Sequence, residues 1–181
     1  MPTKSARGAS QPMAIELLMA DHRKVEQLFE DFESEKEDTA AKSGIAERIC
    51  GELKVHTRIE EELFYPWLAD NLDEEDEDMV REARIEHQSA KDLIEKIEGC
   101  DPDDEQYDAL VKVLSEYIKH HVREEEQEIF PKVASMSDEL DELGQEMAAR
   151  KTELKDEMGL EDEGAPPPDG RGRGAEERRA R

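Results

Sequence analysis

Apolar residues recur along this chain at steps of three, four and seven, and no stretch of useful length alternates with period two. The pattern predicts helices and no sheet. The first helix runs from Pro12 to about Glu37, capped by Ser10, with Ile15, Leu18, Val25, Phe29 and Phe32 along one face. The second spans its cap, Thr39, to Leu72 and turns Ile45, Ile49, Leu53, Leu63 and Trp67 inward. Pro66 is placed to bend or end it. The acidic run DEEDED at 73–78 suits the N-terminus of a third helix, from about Glu74 to Glu98. Val80, Ala83, Ala90, Ile94 and Ile97 form its seam, and Gly99 stops it. Asp101 caps a fourth helix, which reaches about Pro131 with Tyr107, Leu110, Leu114, Tyr117 and Ile129 on its inner face. Ser137 caps a fifth, ending near Met158, with Leu140, Leu143, Met147 and Leu154 on one side. The links are short, which favours antiparallel neighbours. The expected fold is therefore all-α: an up-down-up-down four-helix bundle over 11–135 with an additional C-terminal helix over 136–159. Residues 1–10 read as a disordered leader and 160–181 as a disordered Pro/Gly/Arg-rich tail.

Polar residues interrupt the seams at matched places. His22 lies in the first seam, His56 and Glu60 in the second, His87 in the third, His121 and Glu125 in the fourth. Each of the pairs His22/His87, His56/His121, Glu60/Glu125 and Pro66/Pro131 is 65 residues apart. The words HTRIEEELFYP at 56–66 and HVREEEQEIFP at 121–131 are thus two copies of one segment, and the whole first hairpin maps onto the second. His-x-x-x-Glu puts both side chains on one helix face a turn apart. The 34 residues between the two His of each hairpin return an antiparallel chain to a similar height. Four His and two Glu are expected in one layer.

Such a layer inside an apolar seam is costly unless it is satisfied. A hydrogen-bonded polar layer would serve for one His; six residues in two matched sets favour metal. Imidazole suits iron, zinc, copper and nickel, and carboxylates can bridge two cations. Two ions sharing both Glu would each receive two His, leaving room for an oxo, hydroxo or exogenous ligand. A redox-active pair of this kind is equipped for oxygen, peroxide or nitric oxide. Closed zinc sites usually prefer Cys-rich tetrahedra. The Glu-x-x-His spacing of ferritin-like di-iron bundles is absent.

Composition narrows the partners. The net charge is −25, with 41% of residues charged and 35% hydrophobic, so nucleic acid and anionic membranes are not expected partners. Cys50 and Cys100 form no disulfide framework or thiolate metal motif. The start MPTKSARGASQP has no secretory apolar core, and LFYPWLA is too short to span a bilayer. A cytoplasmic protein is expected.

The pattern His22, His56-x-x-x-Glu60, His87, His121-x-x-x-Glu125, with ADHRKVEQLFE around His22, resembles the hemerythrin-like, or HHE cation-binding, domain over residues 12–135. The resemblance implies a bundle around two iron ions, oxo- or hydroxo-bridged, with His22, His56, Glu60, His87, His121 and Glu125 as ligands. It implies dioxygen, hydrogen peroxide or nitric oxide as the small-molecule partner. Oxygen-carrying members have a further His where this chain has Lys91, and place the last carboxylate where it has Glu126 rather than Glu125. One fewer His argues against simple oxygen carriage and for an open position. Tyr117, one turn before His121, and Glu26 and Lys91, repeat mates, are the candidates to approach it. Glu61 and Glu126 are expected on a solvated face, His120 at the surface, and Arg58 and Arg123 in local salt bridges. Peroxide decomposition is the first expectation; an oxygen, nitric oxide or redox sensor, or an iron or oxygen store, is the alternative, which leaves open whether the chain is an enzyme.

Overall fold

The computed structural model describes residues 11–36, 38–73 and 76–160. The leader, the tail from 161 onward and the Ser10 cap lie outside the described residues. Helix α1 is Met13–Ser34. Helix α2, Thr39–Ile59, continues through a π-helical turn, Glu60–Phe64, into α3, Tyr65–Asn71. Helix α4 is Glu77–Glu98. Helix α5, Tyr107–Glu124, runs through a second π-helical turn, Glu125–Ile129, into α6, Phe130–Val133. Helix α7 is Ser137–Met158. These form the all-α, up-down-up-down bundle with an added C-terminal helix.

Local chemistry sets the ends differently from the expectation at several points. Asp38, not Thr39, caps α2, its carboxylate accepting from the N–H groups of Ala40 and Ala41 at 2.9 and 3.0 Å. Ser137 is the first helical residue of α7 and makes no side-chain cap. Asp101 accepts from the N–H of Asp103 at 3.0 Å within a turn, and α5 begins only at Tyr107. The first N–H of α1, on Met13, donates to Asp141 of α7 at 2.7 Å. Gly159, at φ 66°, ends α7 in the left-handed conformation that glycine adopts without strain.

Pro66 and Pro131 each follow a π-helical turn. Tyr65 N–H bonds Glu60 O, and Phe130 N–H bonds Glu125 O, each five residues back. A proline ring crowds the carbonyl four residues before it, and the widened turn gives it room. The extra residue also shifts the inward stripe. From the end of the first π-helical turn into α3 the buried residues are Phe64, Tyr65 and Leu68, whereas the expected Leu63 and Trp67 are only half-buried. Ahead of the second π-helical turn, and so not through it, α5 buries Val111 and Ile118, while Leu110 is half-buried and Tyr117 is 38% exposed.

The core has two apolar halves. One gathers Leu18, Val55, Ile59, Phe64, Phe130 and Leu140, among others, beneath α7. The other gathers Phe29, Phe32, Ile49, Leu53, Ile94 and Leu114 at the opposite end. The His and Glu residues lie between them. Helix α7 closes on α1 at Gly144, where a Cβ would come within 2.5 Å of Ala14 N and 2.8 Å of Met13 C. No helix among the described residues is long and apolar enough to cross a membrane.

Candidate metal centre

The structure brings the six sequence-predicted residues together. His22 comes from α1, His56 from α2, His87 from α4 and His121 from α5, while Glu60 and Glu125 are the first residues of the two π-helical turns. All six are buried, and both Glu are 0% exposed. Glu60 Oε2 lies 3.2 Å from His56 Nε2 and 3.2 Å from His87 Nε2. Glu125 Oε2 lies 3.3 Å from His22 Nε2 and 3.6 Å from His121 Nε2. Each carboxylate therefore reaches the His of its own helix and the lone His of the other hairpin. The halves of the repeat interlock through these contacts.

The outward nitrogens obey a second rule. Nδ1 of His22 faces Glu126 at 2.9 Å, Nδ1 of His87 faces Glu61 at 3.1 Å, and Nδ1 of His121 faces Glu86 at 2.8 Å. Nδ1 of His56 has Asp21 at 3.6 Å. An ionised carboxylate only accepts, so at each hydrogen-bonded His the Nδ1–H donates and the Nε2 lone pair faces inward. Glu61 and Glu126 were expected on a solvated face; the π-helical turn rotates them back onto the imidazoles instead. Lys91 reaches neither the centre nor Glu26 but holds Glu61 at 2.6 Å. Glu26 is exposed. Arg58 pairs with Glu62 at 3.0 Å, and His120 is 57% exposed beside Glu124 at 3.1 Å.

Tyr117 points away from the centre, and another tyrosine takes the place considered for it. Tyr65 is fully buried, donates its hydroxyl to Glu125 Oε1 at 3.0 Å, and lies 3.0 Å from His87 Nε2. Its repeat mate is Phe130, whose ring stacks on His22 at 6.0 Å and 5°. Sequence reasoning also missed Asp21 and Glu86. The signal was present: these two are 65 residues apart and each immediately precedes a lone His. Tyr65 carried no such signal, because its repeat mate has no hydroxyl and a regular helix would have turned it elsewhere.

Electrostatics show what the layer lacks. Burial, then the charge of Glu125, pushes the Glu60 carboxyl well above the usual carboxylate range. Burial also opposes ionisation of Glu125, but His121 and His22 outweigh it and hold that carboxyl low. Burial pushes His56 down to about 4, against the opposing pull of Asp21. His22 and His121 are raised: burial opposes this, and Glu125 with the other nearby carboxylates overcomes it. Burial and Glu125 push the Tyr65 hydroxyl up. Among the described residues, His22 Nε2, His56 Nε2, both oxygens of Glu60 and Glu125 Oε2 are buried without a hydrogen-bond partner. Such atoms cost about 1–3 kcal/mol each when left unpaired. One atom each from His22, His56, Glu60 and Glu125 lies within 4.8 Å of the others, and Glu60, His87 and His121 form a second such group. Imidazoles and carboxylates converging in this way fit a metal cation, which would take the place of the protons that Glu60, His22 and His121 hold and relieve the conflict between the two Glu.

The fold and site define a helical bundle with a buried layer of His and Glu that could hold a cation. Residues 13–133 match the model of the Hemerythrin HHE cation binding domain, and the chain belongs to that family. An uncharacterized hemerythrin-like protein of Schizosaccharomyces pombe is 29% identical over 115 residues, 63% of this chain and 56% of that protein. A DNA nickase of Nostoc sp. is 25% identical over 152 residues, 83% of this chain and 42% of that protein. The chain thus spans about half the length of the curated relatives it matches. The crystal structure of a hemerythrin HHE cation binding domain-containing protein from Mycobacterium kansasii superposes with a TM-score of 0.68 at 22% identity. It covers 82% of this chain and 90% of that one, a likeness of fold.

Proposed function

We propose that the chain is a non-haem di-iron protein that binds or reacts with dioxygen, hydrogen peroxide or nitric oxide, with peroxide decomposition as its first reaction. The observation that carries this reading is the pair of donor groups that share Glu60. In it, His22 and His56 with Glu60 and Glu125 would hold one ion, and His87 and His121 with Glu60 would hold the second. Two adjacent redox-active ions supply one- and two-electron chemistry to a small bound molecule. The chain's own residues do the rest. Glu61, Glu86 and Glu126 fix the imidazole tautomers. Tyr65 fixes Glu125 and keeps a proton on its hydroxyl oxygen beside His87. Val25, Leu53, Ile118 and Val122 bound a cavity of ≈10 Å³ next to the imidazoles, about the room of one water, which favours the smallest ligands.

The DNA nickase relative is more than twice as long as the segment it shares with this chain, and a net charge of −25 disfavours a nucleic-acid partner. Purified protein is analysed for metal, then mixed with peroxide. Two irons per chain and prompt oxygen evolution are expected. Two irons without oxygen evolution would favour a sensor or store. One zinc, or no metal, would overturn the reading.

A further inference from the structure

Two cavities meet at the candidate centre. The inner one is the ≈10 Å³ space beside the four imidazoles. The outer one is a cleft of ≈390 Å³ between α1 and α5. Both are lined by His22, Ile118 and Val122, so these three side chains form the wall between solvent and the centre. Arg23, Lys119 and Arg123 line the outer cleft, against Glu26 and Glu126. Glu126 is already engaged by His22 Nδ1 at 2.9 Å.

What sets those three cations apart is that they line one cleft without being tied to an acid. Many other lysines and arginines are tied to acids, among them Lys24 to Glu52, Lys54 to Glu98, Lys91 to Glu61 and Arg150 to Glu62. Arg23, Lys119 and Arg123 form no ion pair among the described residues. A chain of net charge −25 repels anions over most of its surface. A cleft with three cations against two carboxylates, sunk between apolar walls, carries a local positive excess that acts within a Debye length, about 10 Å.

We propose that this cleft is the entrance by which small monovalent inorganic anions reach the centre, drawn in by Arg23, Lys119 and Arg123 and passed between Ile118 and Val122. The inner space, about the room of one water, limits entry to the smallest ions. The proposal rests on the metal-centre reading above.

Azide, a three-atom anion, is the probe, and every variant is first checked by thermal melting and metal analysis. In the metal-free chain, an azide titration monitored by amide NMR is expected to give saturable shifts at Arg23, Lys119 and Arg123. These vanish in the Lys119→Glu/Arg123→Glu double variant. In the metal-loaded chain, stopped-flow absorption is expected to show azide associating about tenfold more slowly in that double variant at low salt, the gap closing at high salt. Val122→Trp slows entry at any salt, and Ile118→Ala speeds it. Wild-type rates in all three variants, with metal content intact, would overturn the proposal. A chain that takes up no metal overturns the proposed function instead. The cleft as an anion site then stands or falls on the metal-free titration, where absence of saturable shifts counts against it.

Discussion

Tyr65 and Phe130 occupy equivalent positions in the two halves of the repeat, and one hydroxyl distinguishes them. That hydroxyl donates to Glu125 at 3.0 Å, whereas Phe130 offers only its ring to His22. Tyr65→Phe would make the halves alike and leave Glu125 Oε1 short of a donor. Metal-free Tyr65→Phe is expected to lose about 1–3 kcal/mol in urea unfolding, and an unchanged unfolding midpoint would show that the bond contributes nothing. The thiols differ for a simpler reason. Cys50 is 1% exposed, and burial pushes its thiol up to about 12; Cys100 is half-buried in the turn after α4. At mild alkaline pH a thiol reagent is expected to label Cys100 in the native protein and Cys50 only after unfolding. Equal labelling rates would contradict that placement.

At the scale of elements, helix spans and the six candidate ligands were legible in the sequence, and the reason is periodicity. A regular helix carries its stripe from Ile49 through Leu53 and His56 to Glu60, and the 65-residue repeat fixes the same stripe on α5. Beyond Glu60 the reading failed, since a π-helical turn adds one residue and moves the stripe from Leu63 and Trp67 to Phe64 and Leu68. The same slip hid Tyr65 and misplaced Glu61 and Glu126. Helix α7 was legible as a helix but not in its role. It docks through Gly144, and its Lys151 pairs with Asp21, which faces His56. A methyl group at Gly144 would meet backbone of α1, which cannot move aside easily. Gly144→Ala is expected to cost about 1–3 kcal/mol by chemical unfolding; a neutral result would mean that α7 can slide. The outer carboxylates act at the same scale, each tying one helix to an imidazole on another. Glu61→Gln is expected to weaken metal binding about 10–100-fold in chelator competition, while wild-type affinity would reduce Glu61 to a partner of Lys91 alone.

For the whole molecule the polar layer is a plane of conflict between two apolar halves, and pH tests whether a cation resolves it. Glu60, His22 and His121 have folded-state pKa values raised above their ordinary 4.5, 6.5 and 6.5. A raised group contributes stability in full below its unfolded value and loses it as pH climbs through the folded one. His56, at about 4 against 6.5, and Glu61, at about 2 against 4.5, act oppositely: their contribution is present above the unfolded value and lost as pH falls. The metal-free protein is thus squeezed from both sides. Between pH 6.5 and 8 nearly all surface carboxylates are already ionised, so the falling contributions of Glu60, His22 and His121 are exposed. Its melting temperature is expected to drop across that window. In the loaded protein a cation replaces those protons, and the melting temperature is expected to stay level from pH 6.5 to 8 and to fall only on the acid side, as protons compete for the imidazoles. Scanning calorimetry of both forms at half-unit intervals decides this. A metal-free protein whose melting temperature holds level or rises from pH 6.5 to 8 would show that the layer is satisfied by its own hydrogen bonds, and that the electrostatic argument for a cation is wrong.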